Sequence, residues 1–160
     1  MKTMKELLGL KAKESEQLVI KLNELLANYQ LYYQNLRGFH WNVKGEKFFE
    51  LHLKFEELYE DAVVKIDEIA ERILTLDGTP LHSFTGYLQH SSIKEEQNVS
   101  DGATGMSKTA ENLATIVRLE KDILPFAQEA EDEGTITLLT DYISQQEKVV
   151  WMLVSWLERK

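Results

Sequence analysis

The sequence predicts an all-α protein: a four-helix bundle whose second and third long helices are joined by a long crossover carrying a short helix. Three observations carry this expectation. Breakers are few and leave four long segments. Apolar residues recur within these segments at helical spacing. The joins between segments run short, long, short. Glycine and proline are strong local breakers, and they occur only at Gly9, Gly38, Gly45, Gly78, Pro80, Gly86, Gly102, Gly105, Pro125 and Gly134. The segments 10–37, 46–77, 106–133 and 135–160 that remain all exceed the mean helix of about 11–12 residues.

The first segment reads Leu18, Leu22, Leu25, Tyr29, Tyr32, Leu36, an unbroken 4-3-4-3-4 spacing. Such a spacing lays one apolar stripe along a helix. The second reads Phe48, Leu51, Phe55, Leu58, Ala62, Ile66, Ile69, Ile73. In the third, Ser100 and Asp101 stand as caps ahead of the helix. Pro125 should bend it, because proline removes a backbone donor and crowds residue 121. Gly134 separates it from the fourth, which reads Ile136, Leu139, Ile143, Gln146, Val150, Leu153, Leu157. No period-2 strand pattern of comparable length occurs. The joins at 38–46 and 134 make antiparallel hairpins, while the 28 residues from 78 to 105 are too many for structureless loop and should carry a short helix around Leu81–Gln89. A bundle with one such crossover in the middle has ferritin-like topology.

At 160 residues the chain is the size of one domain, expected to span 1–160 with a short N-terminal extension at about 1–13. The hydrophobic fraction of 43% excludes intrinsic disorder. No cysteine is present, which excludes disulfides, thiolate nucleophiles and iron–sulfur clusters, so any metal must be held by histidine and carboxylate. The N-terminus has no apolar run or small-residue cleavage site, and no stretch approaches the 18 apolar residues of a spanning helix. A soluble, cytoplasmic protein is expected, with no membrane partner. The net charge of −9 repels nucleic acid and suits metal cations.

Five residues form a candidate ligand set: His40, His52, Glu56, Asp67 and Glu71. His40 lies one turn past Leu36 on the first stripe. His52 and Glu56 share a face of the second helix at i,i+4, and Asp67 and Glu71 repeat that spacing. The 11 residues from 56 to 67 turn through about 1100°, so the two pairs nearly share an azimuth, yet they lie about 16 Å apart along the axis. A dinuclear site spans only about 3.5–4 Å, so one subunit cannot close a site from all five. An antiparallel two-fold partner would set 52/56 of one chain against 67/71 of the other and form two identical sites. Imidazole with carboxylate and open positions suits iron more than structural zinc. Each element alone has a plainer reading: a lone histidine is usually a satisfied core or interface residue, and charged i,i+4 pairs usually form solvated surface. Geometry by itself leaves both readings open. The Glu-x-x-His motif of ordinary di-iron bundles is absent, since Arg37, Phe49, Thr79 and Tyr87 precede the four histidines by three.

The stretches FHWNVKGEKFFELHLKFEELY (39–59), IDEIAERIL (66–74) and EKVVWMLVSWL (147–157) resemble the Dps family, the mini-ferritins named for DNA protection in starved cells. The resemblance runs from about residue 15 to the end. It implies a hollow homododecamer that oxidises Fe(II), preferably with hydrogen peroxide, and stores ferric mineral. Carried over by position, the family's ferroxidase ligands fall on His40, His52 and Glu56 of one subunit and Asp67 and Glu71 of its two-fold mate. Glu56 stands where the best-known members have Asp, and its extra methylene can alter spacing. Trp41 resembles the aromatic beside the family's site that intercepts oxidising radicals; its plainer reading is a core or interface aromatic.

The resemblance also places Glu131, with Asp132 and Asp141 as further candidates, at acidic pores that admit iron, and Glu57, Glu60, Asp61 and Glu68 as candidate mineral nucleation sites. Solvated surface is the plainer reading for each. His82 and His90 read as surface residues of the crossover. The alternative function is a nucleoid protein that coats DNA directly. It is disfavoured because Lys2, Lys5, Lys11 and Lys13 are interspersed with Glu6 and Glu14, and twelve copies at −9 would carry −108. A third reading, a purely structural bundle, would make the five ligands accidental.

Overall fold

A computed structural model describes residues 2–158. Six helices follow in order: α1 (Met4–Leu8), α2 (Ala12–Asn42), α3 (Phe48–Thr75), α4 (Phe84–His90), α5 (Gly102–Glu129) and α6 (Glu133–Leu157). No strand occurs among the described residues; one isolated bridge pairs Lys44 with Asp101. The four long helices form the bundle. Each short join makes an antiparallel pair, α2 with α3 and α5 with α6, and the crossover carries the chain from the end of α3 back to the start of α5. No helix among the described residues is long and apolar enough to cross a membrane.

The predicted stripes face inward. Leu18, Leu22, Leu25, Tyr29, Tyr32 and Leu36 of α2 are all buried, as are Leu51, Phe55, Leu58, Ala62, Ile69 and Ile73 of α3 and Leu139, Gln146 and Leu153 of α6. Four boundaries differ from expectation, each for a physical reason. The N-terminal extension holds α1, because Thr3 and Glu6 make a reciprocal capping box and Gly9, at φ 70°, ends the turn. The second helix runs through Gly38 to Asn42, since burial of Phe39 and His40 outweighs the roughly 1 kcal/mol cost of one helical glycine. Helix α5 begins at Gly102 rather than 106, with Asp101 accepting from the Thr104 amide at 2.8 Å. Here Gly102 and Gly105 act by close approach: an added Cβ would stand 2.3 Å from Leu51 and 3.0 Å from Phe55. The last break falls at 130–132, where Glu131 takes φ 56° and Asp132 caps α6, leaving Gly134 inside the helix. Pro125 lies within α5 and does not end it. The last helix ends at Leu157, and the expected final positions 159 and 160 lie outside the described residues.

The short crossover helix lies at Phe84–His90, close to its expected place. Three asparagines of α2 hold the crossover against the bundle. Asn23 Oδ1 accepts from the Leu81 amide at 2.7 Å. Asn28 Oδ1 accepts from the Ser92 and Ile93 amides at 3.1 and 3.0 Å, and Asn35 Oδ1 from the Glu96 amide at 3.0 Å. Amides that have no helical partner are thus satisfied by side chains projecting from a neighbouring helix.

The core also contains charge. Glu120 of α5 is fully buried; it accepts from the Tyr29 hydroxyl at 2.7 Å and, with the amide nitrogen of Gln146 turned toward it, from Gln146 at 2.8 Å. Burial pushes its carboxyl up to about 7. The cation whose charge opposes this rise, Lys65, is itself buried, pairs with Asp61 at 2.5 Å and lies 5.1 Å from the Tyr142 ring centre.

Candidate metal centre

Helix α2 carries His40 into its last turn, and the join 43–47 returns the chain so that His52 in the second turn of α3 stands at the same height. The join is tied to the segment just ahead of α5, with the Lys44 amide donating to the Ser100 carbonyl at 3.0 Å. The two histidines then bind each other reciprocally. His40 Nδ1 lies 2.7 Å from the His52 carbonyl oxygen, and His52 Nδ1 lies 2.9 Å from that of His40. The His40 carbonyl is among the last four of α2, which lack helical partners, so His52 supplies the missing donor.

The consequence is chemical. A carbonyl only accepts, so each Nδ1 carries the proton, and a neutral imidazole then presents its Nε2 lone pair. The rings stack at 3.8 Å between centres and 19° between planes. Phe48 stacks on the outer face of His52 at 5.1 Å and 24°, and Tyr59 meets His40 edge-on at 5.3 Å. Glu56 lies one turn beyond His52, and one ligand atom from each of His40, His52 and Glu56 lies within 4.8 Å of the others. Partial desolvation and the Glu56 charge both push the Tyr59 phenol above its ordinary range. Two imidazoles and one carboxylate gathered this closely are a donor set that could hold a metal ion.

The other predicted ligands stand apart. Asp67 and Glu71 are exposed on the same helix, about 16 Å along the axis from Glu56 to Asp67. Trp41 is 57% exposed, with the Arg37 guanidinium 4.6 Å from its ring centre, so within one chain it is not a core aromatic. His82 and His90 are exposed. Of the acidic run, Asp132 is not free to line a pore: it is buried, pairs with Arg72 and caps α6 through the Thr135 amide. Glu131 pairs with Lys11 at 2.7 Å, while Asp141 remains exposed. Asp61 is engaged by Lys65 and Glu68 by the Tyr142 hydroxyl, whereas Glu57 and Glu60 are exposed. The role of Phe48 against His52 was not anticipated, although their i,i+4 spacing on one helix was a signal for it.

Comparison with known proteins agrees with this architecture. The family model described as a ferritin-like domain matches residues 20–160. A DNA protection during starvation protein of Porphyromonas gingivalis is 44% identical over 156 residues, covering 98% of each chain. Among solved structures, a Dps protein from Vibrio cholerae O1, described as a member of a broad superfamily of ferritin-like diiron-carboxylate proteins, is 51% identical. It superposes with a TM-score of 0.92, covering 93% of this chain and 94% of its own. A Dps protein from Bacillus brevis is 38% identical with a TM-score of 0.88, covering 92% and 99%. Fold, length and sequence agree across these comparisons, and the chain belongs to the ferritin-like family, as one of its Dps proteins.

Proposed function

We propose that this protein is a ferroxidase and iron store. It oxidises Fe(II), with hydrogen peroxide as preferred oxidant, and holds ferric mineral inside a hollow homododecamer, protecting DNA and the cell from oxidative damage. The observation that carries this reading is the cluster of His40, His52 and Glu56, with both histidines locked as Nδ1 donors. The substrate is the metal ion itself. Neutral imidazole and carboxylate together suit Fe(II), and the 3.8 Å between ring centres is compatible with two ions about 3.5–4 Å apart. Peroxide accepts two electrons and two Fe(II) ions give one each, so two protons and one peroxide leave two waters with no one-electron residue. Trp41, next to His40 in the chain and exposed, would intercept radicals that escape this pairing.

Asp67 and Glu71 complete the shell from the two-fold mate. Their exposure and shared azimuth with His52 and Glu56 support this assignment: a second copy running antiparallel would bring them across. Each assembled site would then hold His40, His52 and Glu56 of one subunit and Asp67 and Glu71 of the other. The ferritin-like unit covers the bundle, with residues 1–13 as an extension ahead of it.

Complementation tests the assignment. The double variants His40→Ala with His52→Ala, and Asp67→Ala with Glu71→Ala, should each lose fast Fe(II) oxidation as homomeric shells. In a mixed dimer one site collects both damaged halves and the other is intact. Co-assembled shells should therefore recover about a quarter of wild-type activity under random pairing. No recovery in verified mixed shells would refute the shared site.

A further inference from the structure

We infer that Phe48 is a positioning residue that sets how many ions the histidine pair takes. The inference rests on the metal-site reading above. Four rings form a column, Phe48, His52, His40 and Tyr59, with successive centres at 5.1, 3.8 and 5.3 Å. The two histidines are not equally held. His40 is 7% exposed and confined by Tyr59 and His52. His52 is half-buried, and its bond to the His40 carbonyl is a single pivot about which the ring could turn. The flat face of Phe48, one turn earlier on α3, blocks that turn and keeps the rings near-parallel.

Parallel rings restrict coordination. An imidazole lone pair lies in its ring plane, and the metal–nitrogen bond is about 2.0–2.1 Å. An ion midway between these rings would lie up to about 1.9 Å out of each plane, at most half the separation of the centres, where neither lone pair points. The stacked pair therefore takes one ion per imidazole. Without Phe48, His52 can turn on its pivot until both imidazoles chelate one ion together with Glu56, which uses up the donors that a second ion needs. Phe48 thus acts through His52, touching no ion itself, and favours a two-ion site over a one-ion site.

Cobalt(II), a redox-inert probe under anaerobic conditions, can be titrated into the full-length assembled protein and followed by its visible absorption. Wild type and Phe48→Tyr, which keeps the flat ring, should bind two ions per site. Phe48→Leu, which fills the space without a flat face, and Phe48→Ala should bind one, with an altered absorption envelope and unchanged helix content and shell size. Two ions per site with an unchanged spectrum in the Leu and Ala variants would overturn the inference while leaving the metal site standing. Failure of the wild type to bind cobalt would overturn both.

Discussion

The buried Glu120 gives a prediction whose sign and size both follow from the structure. Its carboxyl is fully buried and has two neutral donors, the Tyr29 hydroxyl and the Gln146 amide. Burial, the largest cause, raises its pKa from 4.5 to about 7; the Tyr29 and Gln146 hydrogen bonds and the Lys65 charge offset this only in part. A carboxyl raised on folding binds its proton more tightly in the native state. The native state therefore holds more protons than the unfolded chain between pH 4.5 and 7, and stability falls as pH rises through that window. The cost is near zero at pH 4 and about 1 kcal/mol at pH 5, and it levels off at about 3 kcal/mol above pH 7, since each unit is worth 1.36 kcal/mol. Glu120→Gln removes the titration and preserves the shape; the Tyr29 hydroxyl can still donate, and the Gln146 amide can turn to accept. The variant should be more stable than wild type by about 2–3 kcal/mol more at pH 8 than at pH 5, on the order of 5–10 °C in midpoint. Thermal unfolding by circular dichroism at the two pH values measures this directly. The difference between variant and wild type cancels every other titrating group common to both. An equal shift at pH 5 and pH 8 would refute a buried carboxyl that ionises near neutrality.

Three further outcomes are expected. Asn28→Ala removes the acceptor of the Ser92 and Ile93 amides; because Ile93 is buried, it should cost about 2–3 kcal/mol in denaturant unfolding and speed hydrogen exchange at Ile93. Gly102→Ala would place a Cβ 2.3 Å from the side chain of buried Leu51; the forced shift at the start of α3 should cost about 1–3 kcal/mol and weaken cobalt binding at neighbouring His52, read by titration. At physiological salt without divalent cations the protein should not retard duplex DNA in a gel: the net charge is −9, and Lys11 of the basic N-terminal stretch is already paired with Glu131. Binding that weakens as salt rises would reveal an organised basic surface.

The bundle was legible because its signals are local. The stripe from Leu18 to Leu36 needs only the 3.6-residue period, and the crossover helix follows from a join too long to be loop. The local capping box of α1 could have been read from Thr3 and Glu6, whereas other misread positions have roles set by a distant neighbour. Gly102 and Gly105 look like breakers in the chain, yet they sit inside a helix because Leu51 and Phe55 press against it. Gly38 and Gly134 likewise sit within helices. Asp132 reads as one more acid in a run, and only the fold brings Arg72 of α3 onto it. At the site, the i,i+4 pairing of His52 with Glu56 was visible in sequence. The reciprocal carbonyl bonds that fix both tautomers were not, since they depend on two backbone atoms meeting across a hairpin.

The interior polar groups also bear on why the candidate centre lies at the hairpin end of the bundle. Ferritin-like bundles that hold two irons inside one subunit do so with Glu-x-x-His motifs projecting between the helices. This chain has buried carboxylate there as well, but Glu120 is satisfied by Tyr29 and Gln146, and the Tyr142 hydroxyl is committed to Glu68. The cation among these groups is Lys65, buried and held by Asp61. A covalently attached ammonium removes the electrostatic reason for an ion to enter, and a carboxyl held near neutrality by burial offers less charge to attract one. His40, His52 and Glu56 instead gather their ligand atoms within 4.8 Å of one another near the hairpin end of the α2–α3 pair. With Asp67 and Glu71 exposed on the same helix, the proposed shell would be completed by assembly rather than by folding. Metal affinity in this protein should therefore rise and fall with the association of its subunits.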